Sequence, residues 1–137
     1  LSGLCTDVEE FVASLHVELI LSFGEDGFTG HQDHRTAFLA ASFASAKYNV
    51  PLLTFALPPQ PFGEEYIEHL CKKRSHDKYH AHERFVQPDI ELAIDGNAKL
   101  EILQLYETQW KGLDPHNIFP PHLAEHFLKY EYFRWVR

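Results

Sequence analysis

The chain has 137 residues, of which 45% are hydrophobic and 23% charged, the balance of an ordinary globular domain with its own core. Its formal net charge of −8 argues against a general nucleic-acid binder, which needs a basic surface to meet phosphates, and against a polybasic membrane surface. No apolar run reaches the roughly 18 residues of a membrane helix, so we expect no membrane insertion.

The cysteines and the start of the chain bear on location and completeness. Cys5 and Cys71 lie in unrelated contexts without a Cys-x-x-Cys pair, so we interpret them as reduced thiols rather than a disulfide, which indicates a cytoplasmic protein. The segment from Leu1 does not have the pattern of a signal peptide. Because there is also no methionine, we expect a C-terminal portion of a longer protein; the sequence leaves the oligomeric state open.

The first half of the chain alternates helical and strand patterns. The predicted elements are a helix over 5–15, a buried strand over 17–23, a loop over 24–30, a helix over 35–48 and a strand over 51–57. A strand, a loop, a helix and a second strand are typical of a parallel pair with a crossover connection.

The second half gives weaker patterns. The predicted elements are a loop over 58–63, a helix over 64–73, one or two short strands within 85–93, a helix from a cap at Asp95 to about 110, a loop over 112–121, a short helix from 122 and a strand over 130–136. Residues 74–84 are polar and predict no element.

Together these patterns predict one α/β domain over residues 1–137. The sheet that we expect contains parallel strands joined by a right-handed crossover. Helical and strand spacing assigns five large aromatic side chains to the core rather than to a ligand site: Phe38, Phe43, Phe55, Trp110 and Trp135.

The most informative segment reads Gly-His-Gln-Asp-His over 30–34. It follows a predicted buried strand and opens a helix, and ligands of α/β sheets bind at the carboxyl ends of strands. Two imidazoles and a carboxylate there could bind a metal or stabilise an oxyanion. The alternative is a capping Asp33 between two solvated histidines, because such short patterns also occur by chance.

Residues 22–34 read Ser-Phe-Gly-Glu-Asp-Gly-Phe-Thr-Gly-His-Gln-Asp-His. This segment resembles the second motif of the LmbE/PIG-L family of zinc-dependent N-acetylglucosamine deacetylases, which runs roughly Thr-Phe-Gly-Pro-Asp-Gly-x-Thr-Gly-His-Pro-Asp-His. A weaker similarity concerns a family helix reading Lys-x-x-Ala-x-x-x-His-x-Ser-Gln. The corresponding residues here are Lys99, Ile102, Tyr106, Thr108 and Gln109, with Tyr106 in place of the histidine.

The resemblance implies a fold, a function and a role for each matching residue. The fold would be a Rossmann-like three-layer sandwich with a mostly parallel sheet, incomplete in this chain. The chain would belong to a hydrolase that removes acetyl from an N-acetylglucosamine-type amino sugar or its conjugate with Zn²⁺ as cofactor. His34 would be a zinc ligand. His31 would stabilise the tetrahedral oxyanion or protonate the leaving amine, and Asp33 would hold His31 in the required tautomer. Because their loop borders His31, we also expect Glu25, Asp26 and Thr29 to contact substrate, although Glu25 and Asp26 could instead simply solvate the loop.

The main departure from the family is the first motif, Ala-His-Pro-Asp-Asp-Glu, which nothing in this sequence matches. That motif would supply two further zinc ligands and the general base, and catalytic zinc ordinarily has three protein ligands. We therefore expect that motif outside these 137 residues, with a catalytically inactive fragment or binding module of the same fold as the alternative. Imidazole and carboxylate also suit divalent metals other than zinc.

The remaining histidines offer a third interpretation. His76 and His80 are four residues apart and lie close to His82, so an unrelated metal site is possible there, but the charged surroundings favour a solvated segment, a lid or a rim. Three further histidines are interpreted as surface or packing residues: His116, His122 and His126.

Overall fold

The computed structural model of the chain describes residues 2–27, 31–73, 87–106 and 114–136. The helices of these ranges are α1 (Ser2–Ser14), α2 (Gln32–Tyr48), α3 (Phe62–Lys73), α4 (Gly96–Gln104), α5 (Pro115–Ile118) and α6 (Pro121–Lys129). The strands are β1 (Ile20–Ser22), β2 (Leu52–Phe55), β3 (Ile90–Ala93) and β4 (Tyr130–Val136).

The four strands form one mixed sheet in the order β1-β2-β4-β3. β1 and β2 are parallel, as predicted, whereas β4 is antiparallel to both β2 and β3. The prediction of a mostly parallel sheet is therefore wrong for the described residues, and the α/β class is confirmed in its general form. The reason lies at Lys129 and Tyr130, where α6 passes directly into β4 and the last strand enters the sheet in the reverse direction.

The crossover helix α2 covers the parallel pair and also packs against α1. Its buried side chains are the small ones, Ala40, Ala41 and Ala44, which allow the helix to approach the strands closely. The helix ends at Asn49, whose φ of 53° is left-handed and whose N–H donates to the carbonyl of Ser45. The predicted strand–loop–helix–strand order is confirmed here.

Strand β1 is shorter and less buried than the predicted strand over 17–23. It lies at the edge of the sheet, and Leu19 and Leu21 are 44% and 50% exposed. The sequence pattern indicated an apolar strand but not its position, and an edge strand leaves one side without a neighbour.

The core divides between β2 and the C-terminal helices. Leu52, Leu53 and Thr54 of β2 are buried. The second cluster consists of Tyr66, Phe119, Leu123 and Ala124, with Leu57, Phe62, Ile118 and Phe127 packed against it.

The sequence pattern assigned five aromatic residues to the core, and for two of them this prediction is wrong because they are exposed. Phe43 is 54% exposed on α2, where the buried residues are small alanines rather than large rings. Trp135 is 37% exposed near the end of β4. Phe38 and Phe55 are half-buried, and Trp110 lies outside the described residues.

The predicted helix cap at Asp95 is confirmed. The Asp95 side chain accepts hydrogen bonds from the N–H groups of Asn97 and Ala98 and begins α4, which ends at Gln104 rather than near 110. The predicted loop over 112–121 contains the short helix α5, capped by Asp114. In the part of the chain that the structure describes, no helix has both the length and the apolar character needed to cross a membrane.

Candidate functional site

The carboxyl end of β1 runs into a tight turn that only glycine accommodates well. The N–H of Gly27 donates to the carbonyl of Gly24 over 2.9 Å, which closes a four-residue turn. Gly27 has φ +66°, and a Cβ atom there would lie 2.8 Å from Cγ of Arg35. A side chain at this position would meet both backbone strain and a steric clash, so the turn depends on glycine.

This turn also lies beside the carboxyl end of β2. A Cβ atom built on Gly24 would lie 3.6 Å from the carbonyl oxygen of Phe55, the last residue of β2. The turn therefore occupies the edge at which both parallel strands end, which is where ligands of α/β sheets bind.

The His34 side chain is held by this turn. Its Nδ1 lies 2.9 Å from the carbonyl oxygen of Gly27, and because a carbonyl only accepts, Nδ1 carries the proton and donates. In the neutral ring the lone pair is then on Nε2. A histidine that binds a metal ordinarily donates its other ring N–H to a carbonyl or carboxylate in this way.

The plane of the same ring is set by an aromatic neighbour. The rings of Phe23 and His34 are stacked with centroids 3.7 Å apart and planes only 2° from parallel. Both side chains are half-buried. Sequence reasoning missed Phe23 and the carbonyl of Gly27 as parts of the site; the available signal was an aromatic residue directly before the glycine turn.

His31 caps the helix that carries His34. Its Nδ1 accepts from the backbone N–H of Asp33 at 3.3 Å, so in this arrangement the ring proton is on Nε2. The centroids of the His31 and His34 rings are 4.8 Å apart. The structure thus brings together the two histidines singled out in the sequence, one with a donor and the other with a lone pair at Nε2.

The Asp33 carboxylate is less closely engaged. Its Oδ2 lies 3.8 Å from Nδ1 of His31, beyond hydrogen-bond distance, and its side chain is 89% exposed. The backbone N–H of Asp33, rather than its carboxylate, therefore sets the His31 tautomer in this arrangement. An exposed carboxylate at this distance acts on a protonated His31 only as a weak ion-pair partner.

The predicted substrate contacts divide between described and undescribed residues. Glu25 is exposed and Asp26 half-buried, and both belong to the turn that holds His34. Thr29 lies outside the described residues, as do His76, His80 and His82 of the third interpretation.

The side chains at this turn match the needs of a zinc ion only in part. An imidazole whose Nδ1–H is bound to a carbonyl is a suitable zinc ligand, and His34 fits that description. Among the residues that the structure describes, no group of three or more His, Cys, Asp and Glu side chains is arranged to hold a metal. His34 thus fits one ligand position, and a complete site needs further ligands from outside the described ranges.

No family model, curated protein or solved structure matches this chain. The resemblance to the deacetylase family therefore depends on the residues of the motif alone.

Lys99, which belongs to the weaker of the two sequence similarities, makes contacts with two neighbouring elements. The Nζ of Lys99 lies 2.7 Å from a carboxylate oxygen of Glu131, donates to the carbonyl of Phe127 over 2.6 Å and lies 3.7 Å from the centroid of the Phe127 ring. Burial lowers the pKa of Lys99 although Glu131 opposes the shift. Lys99 therefore links α4 to α6 and β4, while Tyr106 of the same motif is exposed and Thr108 and Gln109 lie outside the described residues.

The histidines near the C-terminus confirm the prediction of surface or packing roles. His116 is exposed, and His122 is an exposed residue paired with Glu65. His126 is half-buried and stacks on Phe62 with ring centroids 4.2 Å apart.

Proposed function

We propose that this chain is the His34-bearing part of a zinc-dependent N-deacetylase of the LmbE/PIG-L type. Its substrate would be an N-acetylglucosamine-type amino sugar or a conjugate of one. The proposal is supported by the thirteen-residue similarity over 22–34 and by the position of the two histidines beside the ends of two parallel strands.

One observation carries the proposal: the 2.9 Å contact between Nδ1 of His34 and the carbonyl oxygen of Gly27. A solvated histidine has no need of a fixed tautomer, whereas a metal ligand benefits from one because its coordinating nitrogen must be unprotonated and correctly aimed. The glycine that provides this carbonyl has the left-handed φ described above, so the turn itself favours the contact.

Zinc, when bound, would act as a Lewis acid on the amide carbonyl and on the attacking water. His34 would hold the ion through Nε2. His31 would donate its Nε2–H to the charge that develops on the carbonyl oxygen or to the leaving amine. Asp33 would keep His31 in this tautomer through its backbone N–H, and Glu25, Asp26 and Thr29 would contact sugar hydroxyls.

A complete centre in this proposal needs two more ligands and a general base. A segment with the family's first motif would provide them, in a Rossmann-like three-layer arrangement to which the β1–α2–β2 unit contributes one crossover. A cytoplasmic location is part of the proposal, and its basis is the interpretation of Cys5 and Cys71 as reduced thiols. Cys5 is a free, half-buried thiol.

The test is made on the polypeptide that the whole gene encodes. Zinc content by mass spectrometry and acetate release from N-acetylglucosamine conjugates are measured for the unmodified protein and for His34→Ala, with His116→Ala as the exposed control. We expect about one zinc per chain and acetate release, both lost in His34→Ala and retained in His116→Ala. A folded protein without zinc or acetate release would overturn the proposal.

A second candidate function is a non-enzymatic binding module of the same fold. Its basis is that nothing in the 137 residues matches the family's first motif. The two candidates differ in a simple readout, because a binding module would retain an amino-sugar ligand unchanged and would bind it equally well after His34→Ala.

A further inference from the structure

We propose that Phe23 is a positioning residue that, with the carbonyl of Gly27, fixes the imidazole of His34 so that Nε2 has a single direction. The part of this inference that concerns metal affinity rests on the proposed function; the part that concerns the ring itself does not.

Two independent contacts define the orientation of a planar ring. The stack on Phe23, with planes 2° apart, fixes the plane of the His34 imidazole. The hydrogen bond from Nδ1 to Gly27 then fixes the rotation within that plane. With both in place the direction of Nε2 is determined, and either contact alone would leave the ring free to rotate or tilt.

The position of Phe23 is itself set by the sheet. Its ring contacts that of Phe55 at the end of β2, with centroids 5.9 Å apart and planes at 46°. Phe55 in turn contacts Phe133 of β4, with centroids 5.5 Å apart. The imidazole is thus connected through a row of rings to the two central strands, which are the most firmly held part of the sheet.

The chemistry of the stack favours a ligated imidazole. A phenyl face attracts positive charge, and coordination of a cation withdraws electron density from the imidazole ring. Phe23 would therefore favour the metal-bound ring over the free one as well as orient it. Leucine at position 23 keeps an apolar side chain but has no ring face, so it removes this effect with little change in polarity.

The first test reads the ring directly in the full chain without metal. Nitrogen-15 NMR at alkaline pH, where imidazoles are neutral, distinguishes the Nδ1–H and Nε2–H forms of His34. We expect the Nδ1–H form to dominate in the unmodified chain and in Phe23→Tyr, which retains the ring. Phe23→Leu should populate both forms.

The matched control is Phe62→Leu, the same substitution at another half-buried phenylalanine that stacks on an imidazole. Phe62 lies against His126, with ring centroids 4.2 Å apart, and is not part of the row of rings behind His34, so the variant creates a packing defect of the same kind elsewhere in the fold. We expect Phe62→Leu to lower thermal stability about as much as Phe23→Leu and to retain the Nδ1–H form of His34. If the two leucine variants give the same His34 spectrum as the unmodified chain, the positioning role is wrong.

The second test is metal affinity of the complete protein, with Co²⁺ as a spectroscopic probe. Because mutation of groups that orient a ligand typically costs about 10–100-fold in affinity, we expect a loss of that size in Phe23→Leu and none in Phe62→Leu. A protein that binds no metal in any form would refute the proposed function, while a change of tautomer in Phe23→Leu would still support the positioning role.

Discussion

The imidazole Nδ1 of His34 donates to the carbonyl of Gly27 over 2.9 Å. This contact joins the beginning of α2 to the turn after β1 and determines which ring nitrogen has a free lone pair.

Gly27→Ala should destabilise the fold and disturb the site together. The left-handed φ costs a non-glycine residue about 1–2 kcal/mol, and the Cβ atom would lie 2.8 Å from Cγ of Arg35. Urea unfolding should show a loss of about that size or larger. Gly3→Ala is the control, because a Cβ atom there meets nothing within 4 Å, and it should not destabilise. Equal stability of the two variants would contradict the strained turn.

Stability should decrease in mild acid because of His126. Burial lowers the pKa of His126, and the nearby Lys99 adds to this effect while Glu91 opposes it. The hydroxyl of Tyr132 lies 3.0 Å from its Nε2. A depressed folded-state pKa means that the unfolded chain takes up the proton first. The stability that neutral His126 contributes is therefore fully present above about pH 6.5, the pKa of an unperturbed histidine. It is lost as the pH falls through the pKa of His126 in the folded protein.

The measurement is the free energy of unfolding from pH 8 to pH 5. One group of this kind gives a slope of up to about 1.4 kcal/mol per pH unit within its window. His126→Phe keeps a ring against Phe62 but does not titrate, so this part of the slope should disappear. His116→Gln, at an exposed position, should retain it. If the pH dependence of the unfolding free energy persists in His126→Phe, a titrating group other than His126 causes it.

Lys99→Met should destabilise the C-terminal half. The Lys99 side chain is only 12% exposed, whereas that of Glu131 is 32% exposed, so water partly compensates the carboxylate that remains. Loss of one partner of a buried pair costs about 3–5 kcal/mol, and partial exposure reduces our expectation to about 1–3 kcal/mol. Urea unfolding of Lys99→Met, Glu131→Gln and the double variant gives the coupling energy. Strict additivity of the two single effects would show that the pair is not coupled.

Local sequence patterns predicted the elements of the N-terminal half well. The crossover unit from 17 to 57 could be read from apolar spacing and three glycines, because a helix and two strands are specified by residues close in sequence. The direction of β4 could not be read from local patterns. Tyr130–Val136 pairs with strands far away in the chain, and its direction depends on how α6 ends. For the same reason the exposure of Trp135 did not follow from its strand pattern.

The sequence predicted which two histidines lie near each other but not the backbone contacts that set their tautomers. The spacing of His31 and His34 placed both at the start of one helix, and the structure brings their rings within 4.8 Å of each other. Their tautomers depend on the carbonyl of Gly27 and the N–H of Asp33, backbone groups whose directions follow from turn geometry. A sequence indicates which side chains are available, whereas the free nitrogen of each ring depends on the folded backbone.

The most direct test of the central claim is the nitrogen-15 resonance of His34 Nε2 during a zinc titration of the complete protein. We predict that this resonance moves to the position of a metal-bound nitrogen at one equivalent of zinc, while Nδ1 keeps its proton. Zinc bound tightly with the Nε2 resonance of His34 unmoved, and those of His76, His80 and His82 shifted instead, would contradict it.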